Sequence, residues 1–385
     1  MKNKLLSKLT FLQYISGIKK LKKVLPIYKL LKETYKSQKN NLLISRKDCI
    51  PIPNMKDYYK DLKKFIMKEP NSCESVKYFL EANIKIIHEN YDYNTISKDD
   101  IILVCLIKDD ISKIKEFITY YSNIGIKHFA FIDNNSKDGT YEFLLKESNI
   151  NLYKCTDDYS TLKREGWLNR LYSRIGFNKW ILCVDSDELF TFIGQEKNNI
   201  LLFLKKCSKS YKRVRSLMLD MYSKDNLFSY KEYKSFEKEF CYFDSYGYFE
   251  EKEFRTNMIY GGPRARTFST NENIFKCALS KYPLFLYEKG DFQGSSHWLF
   301  PYKKNKDVIM AVLRHYKFTN YDMKKYEERV KKGNYSNNSF EYKKYAEIIE
   351  NNDDISFYNN KSKKYKNSND LETIKIGDKK IEKLF

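Results

Sequence analysis

Two aspartates one residue apart close an apolar run near the middle of the chain, where Trp180 to Phe190 reads WILCVDSDELF. Asp185, Ser186, Asp187 and Glu188 thus crowd carboxylates at the point where a buried strand should end. Unpaired buried charge is costly, and carboxylates this close repel one another. A divalent ion with hard oxygen ligands relieves both problems and leaves coordination positions for phosphates. The spacing therefore predicts a Mg²⁺- or Mn²⁺-type site at the carboxyl end of a strand, where open α/β sheets bind their ligands. A solvated acidic turn is the plainer alternative, because D-x-D is a common tripeptide.

A second turn, Asp133-Asn134-Asn135-Ser136-Lys137-Asp138-Gly139-Thr140, follows another apolar run. Asn, Asp and Gly tolerate left-handed backbone, and Asp138 or Ser136 can cap a helix that begins near Thr140. Asp109-Asp110 closes a third run, Ile101 to Ile107. Taken alone, each is an ordinary capped loop. Three acidic turns at successive strand ends predict convergence on one edge of a sheet.

The elements that would position these turns alternate. Strands are expected at Ile101 to Ile107, His128 to Ile132, Asn151 to Cys155 and Trp180 to Val184. Helices are expected between them, at Ile111 to Tyr121, Thr140 to Lys146 and Leu162 to Gly176. This β-α-β-α rhythm predicts an α/β fold, a doubly wound and mostly parallel sheet flanked by helices. Beyond Phe190, Val214 to Leu219 reads as a strand, and 223–300 is rich in Tyr, Phe and Gly with weak periodicity. Tyr321 to Val330 and Phe340 to Ile349 have helical spacing, and the last 35 residues read as a polar tail able to fray. The chain divides into a basic helical extension (1–97), the α/β domain (98–320) and C-terminal helices with a tail (321–385).

Composition narrows the class. Hydrophobic residues at 42%, with 33 Tyr and 26 Phe, require a packed core. The net charge of +21 implies an anionic partner, although abundant Lys, Asn, Ile and Tyr together also arise from an AT-rich genome. No RRM-like, zinc-finger or helix-turn-helix signature supports nucleic-acid binding. Eight cysteines without a C-x-x-C pair argue against a zinc ribbon or thioredoxin-like site and fit a reducing cytoplasm. No apolar run reaches the roughly 20 residues of a spanning helix, and no signal peptide is recognisable. The first 40 residues hold eleven Lys and one acid, Glu33. Leu5, Leu9, Leu12, Ile15, Ile18, Leu21, Leu25, Tyr28 and Leu31 form an apolar stripe, interrupted at Pro26. Such a helix lies on an anionic membrane or packs on the next domain.

Together, ILVCLIKDD, FIDNNSKDGT and GFNKWILCVDSDELF resemble the bacterial branch of family 2 glycosyltransferases. RSLMLDMYS, GGPRARTF, LSKYPLFLYEKG, SSHWL and LRHYKF extend the likeness from about Ile101 to Lys344. The resemblance implies a GT-A fold, a nucleotide-sugar donor (a UDP-sugar), Mn²⁺ or Mg²⁺, and a glycan or lipid-linked acceptor in surface-polysaccharide synthesis. The setting implied is the cytoplasmic face of the cell membrane. Carried over position by position, Asp109 and Asp133 contact the nucleoside, with Asp138 in the same turn, and Asp185 holds the ribose or the metal. Asp187 binds the metal, which His315 can complete unless it is a packed histidine; His297 is a second candidate. Two positions depart from the family pattern. Asp109-Asp110 replaces the usual Asn-Glu, and Asn134-Asn135 replaces the second Asp-Gly. Arg264 and Arg266 follow two glycines that would let backbone approach a ligand; the arginines would grip phosphate or pair structurally. Inversion at the anomeric carbon needs a general base, for which Asp220 leads Asp244 and Glu188. A nucleotidyltransferase using the same metal logic is the nearest rival.

Overall fold

A computed structural model describes residues 2–40, 48–227, 233–269, 275–319 and 355–385, with 2–15 as backbone only. Nine strands form one sheet in the order Lys85–Glu89, Ile150–Lys154, His128–Asp133, Ile101–Ile107, Lys179–Cys183, Ser280–Tyr287, Arg213–Asp220, Ile309–His315 and Glu188–Thr191. The second to fifth strands in that order are mutually parallel. Arg213–Asp220 and Ile309–His315 point the same way, because Ser280–Tyr287 runs antiparallel between Lys179–Cys183 and Arg213–Asp220. Six of the nine strands therefore share a direction, and Lys85–Glu89, Ser280–Tyr287 and Glu188–Thr191 oppose it.

The central strands are apolar on both faces because both faces are covered. Along Ile101–Ile107 the pleat sends Ile101, Leu103, Cys105 and Ile107 to one side. There they join Ile114, Phe117, Ile118 and Tyr121 of the helix Ile111–Asn123. Ile102 and Val104 face the other way, onto Trp167, Leu168, Leu171 and Tyr172 of the helix Thr161–Ile175. A fully buried Leu or Phe contributes about 1.5–3 kcal/mol, so this two-sided core fixes where the strand ends lie.

Four expectations need correction. The helix Lys2–Lys39 runs straight through Pro26, which is exposed; the turn lost at its ring is outweighed by packing on either side. Nor is the expected apolar stripe the face that packs. Val24, Ile27 and Leu31 are buried against Met55–Lys68 and Glu74–Glu81, whereas Ile18, Leu21 and Leu25 are exposed. Val24, Ile27 and Leu31 share a second face in steps of three and four, and that face is the one turned to the body. Within 1–97, the segment Lys85–Glu89 is a strand on the sheet's edge. Finally, the tail packs: Ile355, Phe357, Leu371, Ile374, Ile376 and Ile381 belong to the main core. The helices expected at 321–330 and 340–349 lie outside the described residues.

The amino-terminal helices are built into the sheet's cover. A Cβ on Gly166 would lie 2.5 Å from Tyr78 Cβ and 2.7 Å from Phe79 N, so only glycine allows this helix crossing. Four residues on, Arg170 donates to the carbonyls of Phe79 and Leu80 at 2.7 and 2.8 Å, capping the end of the helix Glu74–Glu81. Among the described residues no helix is long and apolar enough to cross a membrane. All eight cysteines are free thiols.

Candidate metal centre

Parallel strands deliver their carboxyl ends to one edge, and the expected acidic turns meet there. Asp109 and Asp110 follow Ile101–Ile107, Asp133 ends His128–Asp133, and Asp185 follows Lys179–Cys183. Asp220 and His315 end their own parallel strands in register with each other. Glu188 begins the antiparallel edge strand opposite His315.

Side chains lace the turns together. The Asp109 amide donates to Ser136 Oγ at 3.0 Å, while Asp109 Oδ1 accepts from the Lys137 amide at 2.6 Å. Asp138 accepts from the amides of Thr140 and Ile111, both at 3.0 Å, and so serves the starts of two helices at once. Ser186 Oγ donates to Asp110 Oδ2 at 2.5 Å and ties the D-x-D turn to the first. Asp109 and Asn135 adopt left-handed backbone, φ 53° and 62°. For non-glycine residues such strain persists only where surroundings over-determine it. Asp133 is buried, with both oxygens accepting from the Ser136 amide at 3.0 and 2.9 Å; burial raises its pKa.

Asp187, Glu188 and His315 bring one ligand atom each within 4.8 Å of one another. His315 Nε2 lies 3.7 Å from Asp187 Oδ2, and its Nδ1 lies 2.8 Å from Asp220 Oδ1. The other oxygen of Asp220 accepts from Arg264 Nε at 2.7 Å. A carboxylate behind an imidazole fixes the ring's tautomer and aim. Burial alone would raise the pKa of Asp220, but Arg264 and then His315 hold it below the usual carboxylate value.

Asp185 is differently placed. Arg164 Nη2 donates to its Oδ1 at 2.6 Å and Lys281 Nζ to its Oδ2 at 2.9 Å. Against the opposing effect of burial, Arg164 and Lys281 drive its pKa far down. Lys281 also contacts Glu188. Burial would lower the Lys281 pKa, yet Asp185 and Glu188 keep it above its ordinary value. Glu188 is itself raised by burial, with Lys281 opposing.

A charge count tests whether a metal suits these residues. Contacts link Glu165, Asp185, Glu188, Asp187 and Asp220 with Arg164, Lys281 and Arg264. Five carboxylates against three fixed cations leave two negative charges when the imidazole is counted neutral. An uncompensated buried charge costs several kcal/mol, so one divalent ion fits. Asp185 and Asp187, with 34% and 25% of their side chains exposed, form the open side of the cluster.

Other expected residues fall elsewhere. Arg266 pairs with Asp244 at 3.1 Å and donates to the Phe357 carbonyl at 2.7 Å, outside this cluster. Asp244 also accepts from Tyr222 Oη at 2.5 Å. Gly261 and Gly262 allow close approach not to a ligand but to Gly247 O and the Tyr248 ring. His297 Nδ1 lies 2.9 Å from the carbonyl of Ser280, beside Lys281. Arg164, Glu165 and Lys281 were not expected from the sequence. Nothing local marks them, and only the insertion of Ser280–Tyr287 between two parallel strands carries Lys281 to Asp185. No protein-family model and no curated protein matches the chain.

Proposed function

We propose that this chain is a metal-dependent glycosyltransferase, moving a sugar from a nucleotide-sugar donor to a glycan or lipid-linked acceptor. The observation that carries the reading is the grouping of Asp187, Glu188 and His315 at the carboxyl edge of the sheet, in a cluster that carries two negative charges in excess. These three residues would hold the ion. A divalent ion there would neutralise charge as the donor's diphosphate leaves.

The chain's own groups have distinct tasks. Asp220 orients His315 so that Nε2 faces Asp187, and Arg264 fixes Asp220 in turn. With both its oxygens engaged and almost no exposure, Asp220 is better suited to positioning than to taking a proton from an acceptor. The interlaced turns around Asp109, Asp133 and Asp138 supply a stiff shelf beside the ion for the donor's nucleoside. Lys281 lies between Asp185 and Glu188, where a two-metal nucleotidyltransferase would need its second cation. That contact favours sugar transfer over the rival.

The test is incubation of the purified chain with a panel of nucleotide-sugars, with and without Mn²⁺. Metal-dependent release of nucleoside diphosphate, lost in Asp187→Ala, is expected. Pyrophosphate release from nucleoside triphosphates would replace the reading with the nucleotidyltransferase. No product from any donor would sink both.

A further inference from the structure

The exposed apolar residues of this protein are unevenly spread. Of eleven large apolar side chains exposed among the described residues, four lie on one pair of helices: Ile18, Leu21 and Leu25 on Lys2–Lys39, and Met67 on Met55–Lys68. The two helices run antiparallel. Tyr35 stacks on Tyr59 with centroids 4.5 Å apart, Lys63 Nζ sits 5.5 Å from the Tyr28 ring centre, and Lys23 reaches Asn71 at 3.4 Å. Their contacts set the exposed end of the first helix beside the last turn of the second.

On the first helix, Ile18, Leu21, Leu25 and Tyr28 follow steps of three, four and three, one stripe of a helix surface. On the second, Tyr59, Lys63 and Met67 follow steps of four. Tyrosines, lysines and aliphatic tips thus share one face, while Val24, Ile27 and Leu31 hold the other face to the body. Phe254, 85% exposed, lies at the same end, next to the Arg255–Glu69 pair.

Charge identifies the occupant. Lys19, Lys20, Lys22, Lys23, Lys29, Lys32, Lys63, Lys64 and Lys68 are all exposed on these two helices. Of their few acids, Asp57 pairs with Lys289 and Glu69 with Arg255, while Glu33, 4.0 Å from Lys29, and Asp61 offset only part of this charge. An apolar strip edged by lysine and tyrosine matches the headgroup boundary of an anionic bilayer. A wholly polar polyanion would leave Leu21, Leu25 and Met67 without a role.

We infer that the two-helix face formed by Ile18, Leu21, Leu25, Tyr28, Lys63 and Met67 is an interfacial docking surface for anionic phospholipid. It lies on the membrane and does not span it. Each lysine near such a surface strengthens binding about fivefold, and the apolar tips add insertion that salt does not screen. The inference is independent of the metal centre.

The experiment is vesicle flotation of the full chain, comparing phosphatidylcholine alone with phosphatidylcholine containing phosphatidylglycerol. Binding is expected only to the anionic vesicles, with a residue of binding surviving high salt. The variant Leu21→Ser/Leu25→Ser/Met67→Ser should bind at least about tenfold more weakly, while Leu202→Ser, on another exposed helix, should bind like the parent. Failure of the parent chain to float, equal flotation with neutral vesicles, or unchanged binding by the triple variant would each overturn the inference. Should the triple variant unfold, the lipid and salt dependence of the parent chain still decides.

Discussion

The two halves of the sheet contribute opposite chemistry. Residues 101–191 bring the acids, Asp109, Asp110, Asp133, Asp185, Asp187 and Glu188. Residues 213–319 bring Lys281, Arg264 and His315, with Asp220 holding the histidine. Arg164, a cation in the first half, and Asp220, a carboxylate in the second, cross the division. The first half resembles a metal site by itself, but without the second its carboxylates would be too many for one ion. A site of this kind is a property of the seam between halves.

The hardest way to break that comparison is to remove the cation from the seam. Lys281→Met leaves Asp185 with one partner fewer and Glu188 buried beside it. Breaking a buried pair costs about 3–5 kcal/mol, so a marked fall in the urea midpoint at neutral pH is expected. Saturating Mn²⁺ should recover part of the loss, because a ligand of the native state adds about 2.7 kcal/mol at a hundred times its Kd. A loss below about 1 kcal/mol, the worth of an exposed pair, would mean the halves are not electrostatically coupled.

Gly166→Ala tests the mounting beneath Arg164. Its Cβ has no room between Tyr78 and Phe79, and overpacking costs about 1–3 kcal/mol. Differential scanning calorimetry should show a lower Tm; an unchanged one would mean that the helices part easily.

The two aspartates of the D-x-D turn should separate by pH and by metal. The pKa of Asp185 is depressed, so its ion pairs stabilise the fold above the ordinary aspartate value, about 4. That contribution is lost as pH falls through the lower folded-state value. Metal-free unfolding followed from neutral pH into acid should therefore lose part of its slope in Asp185→Asn. Asp187→Asn should keep the acid slope and lose the upward shift of Tm with Mn²⁺. Identical behaviour of the two variants would erase the distinction.

The smallest effect concerns the tail. Phe385 packs near Phe192, and Lys206 Nζ lies 3.9 Å from its ring centre. Phe385→Ala should cost about 1 kcal/mol, the typical effect of one substitution, with metal uptake unchanged in calorimetry. A loss of metal binding would show that the tail reaches the seam.

Which parts were legible follows the same division. Ile101–Ile107, His128–Asp133 and Lys179–Cys183 announce themselves because unbroken apolar runs end in turn residues, and that local pattern predicts the acidic edge. Asp187 and His315, 128 residues apart, were paired only through the family resemblance. Ser280–Tyr287 stayed hidden because Pro283 argues against a central strand. The structure accommodates it with a register shift between Lys281 and Leu284. Lys281 and Arg164 were invisible for a different reason: in a chain with 71 basic residues, one more is no signal. The packed tail was missed because Ile374, Ile376 and Ile381 are scattered among lysines with no period long enough to count.

The glycine crossing at Gly166 has a consequence for how the molecule would meet a surface. The helix Glu74–Glu81 touches both the lysine-rich helix Lys2–Lys39 and, through that crossing, the helix that starts at Thr161 and carries Arg164. Among the described residues both contacts are direct, helix on helix. A molecule resting on lipid by its first two helices would therefore hold the acidic edge of its sheet at one set height and tilt, and under the proposed sugar transfer, acceptors whose reactive end projects to that height would be selected by reach before any side chain reads their shape.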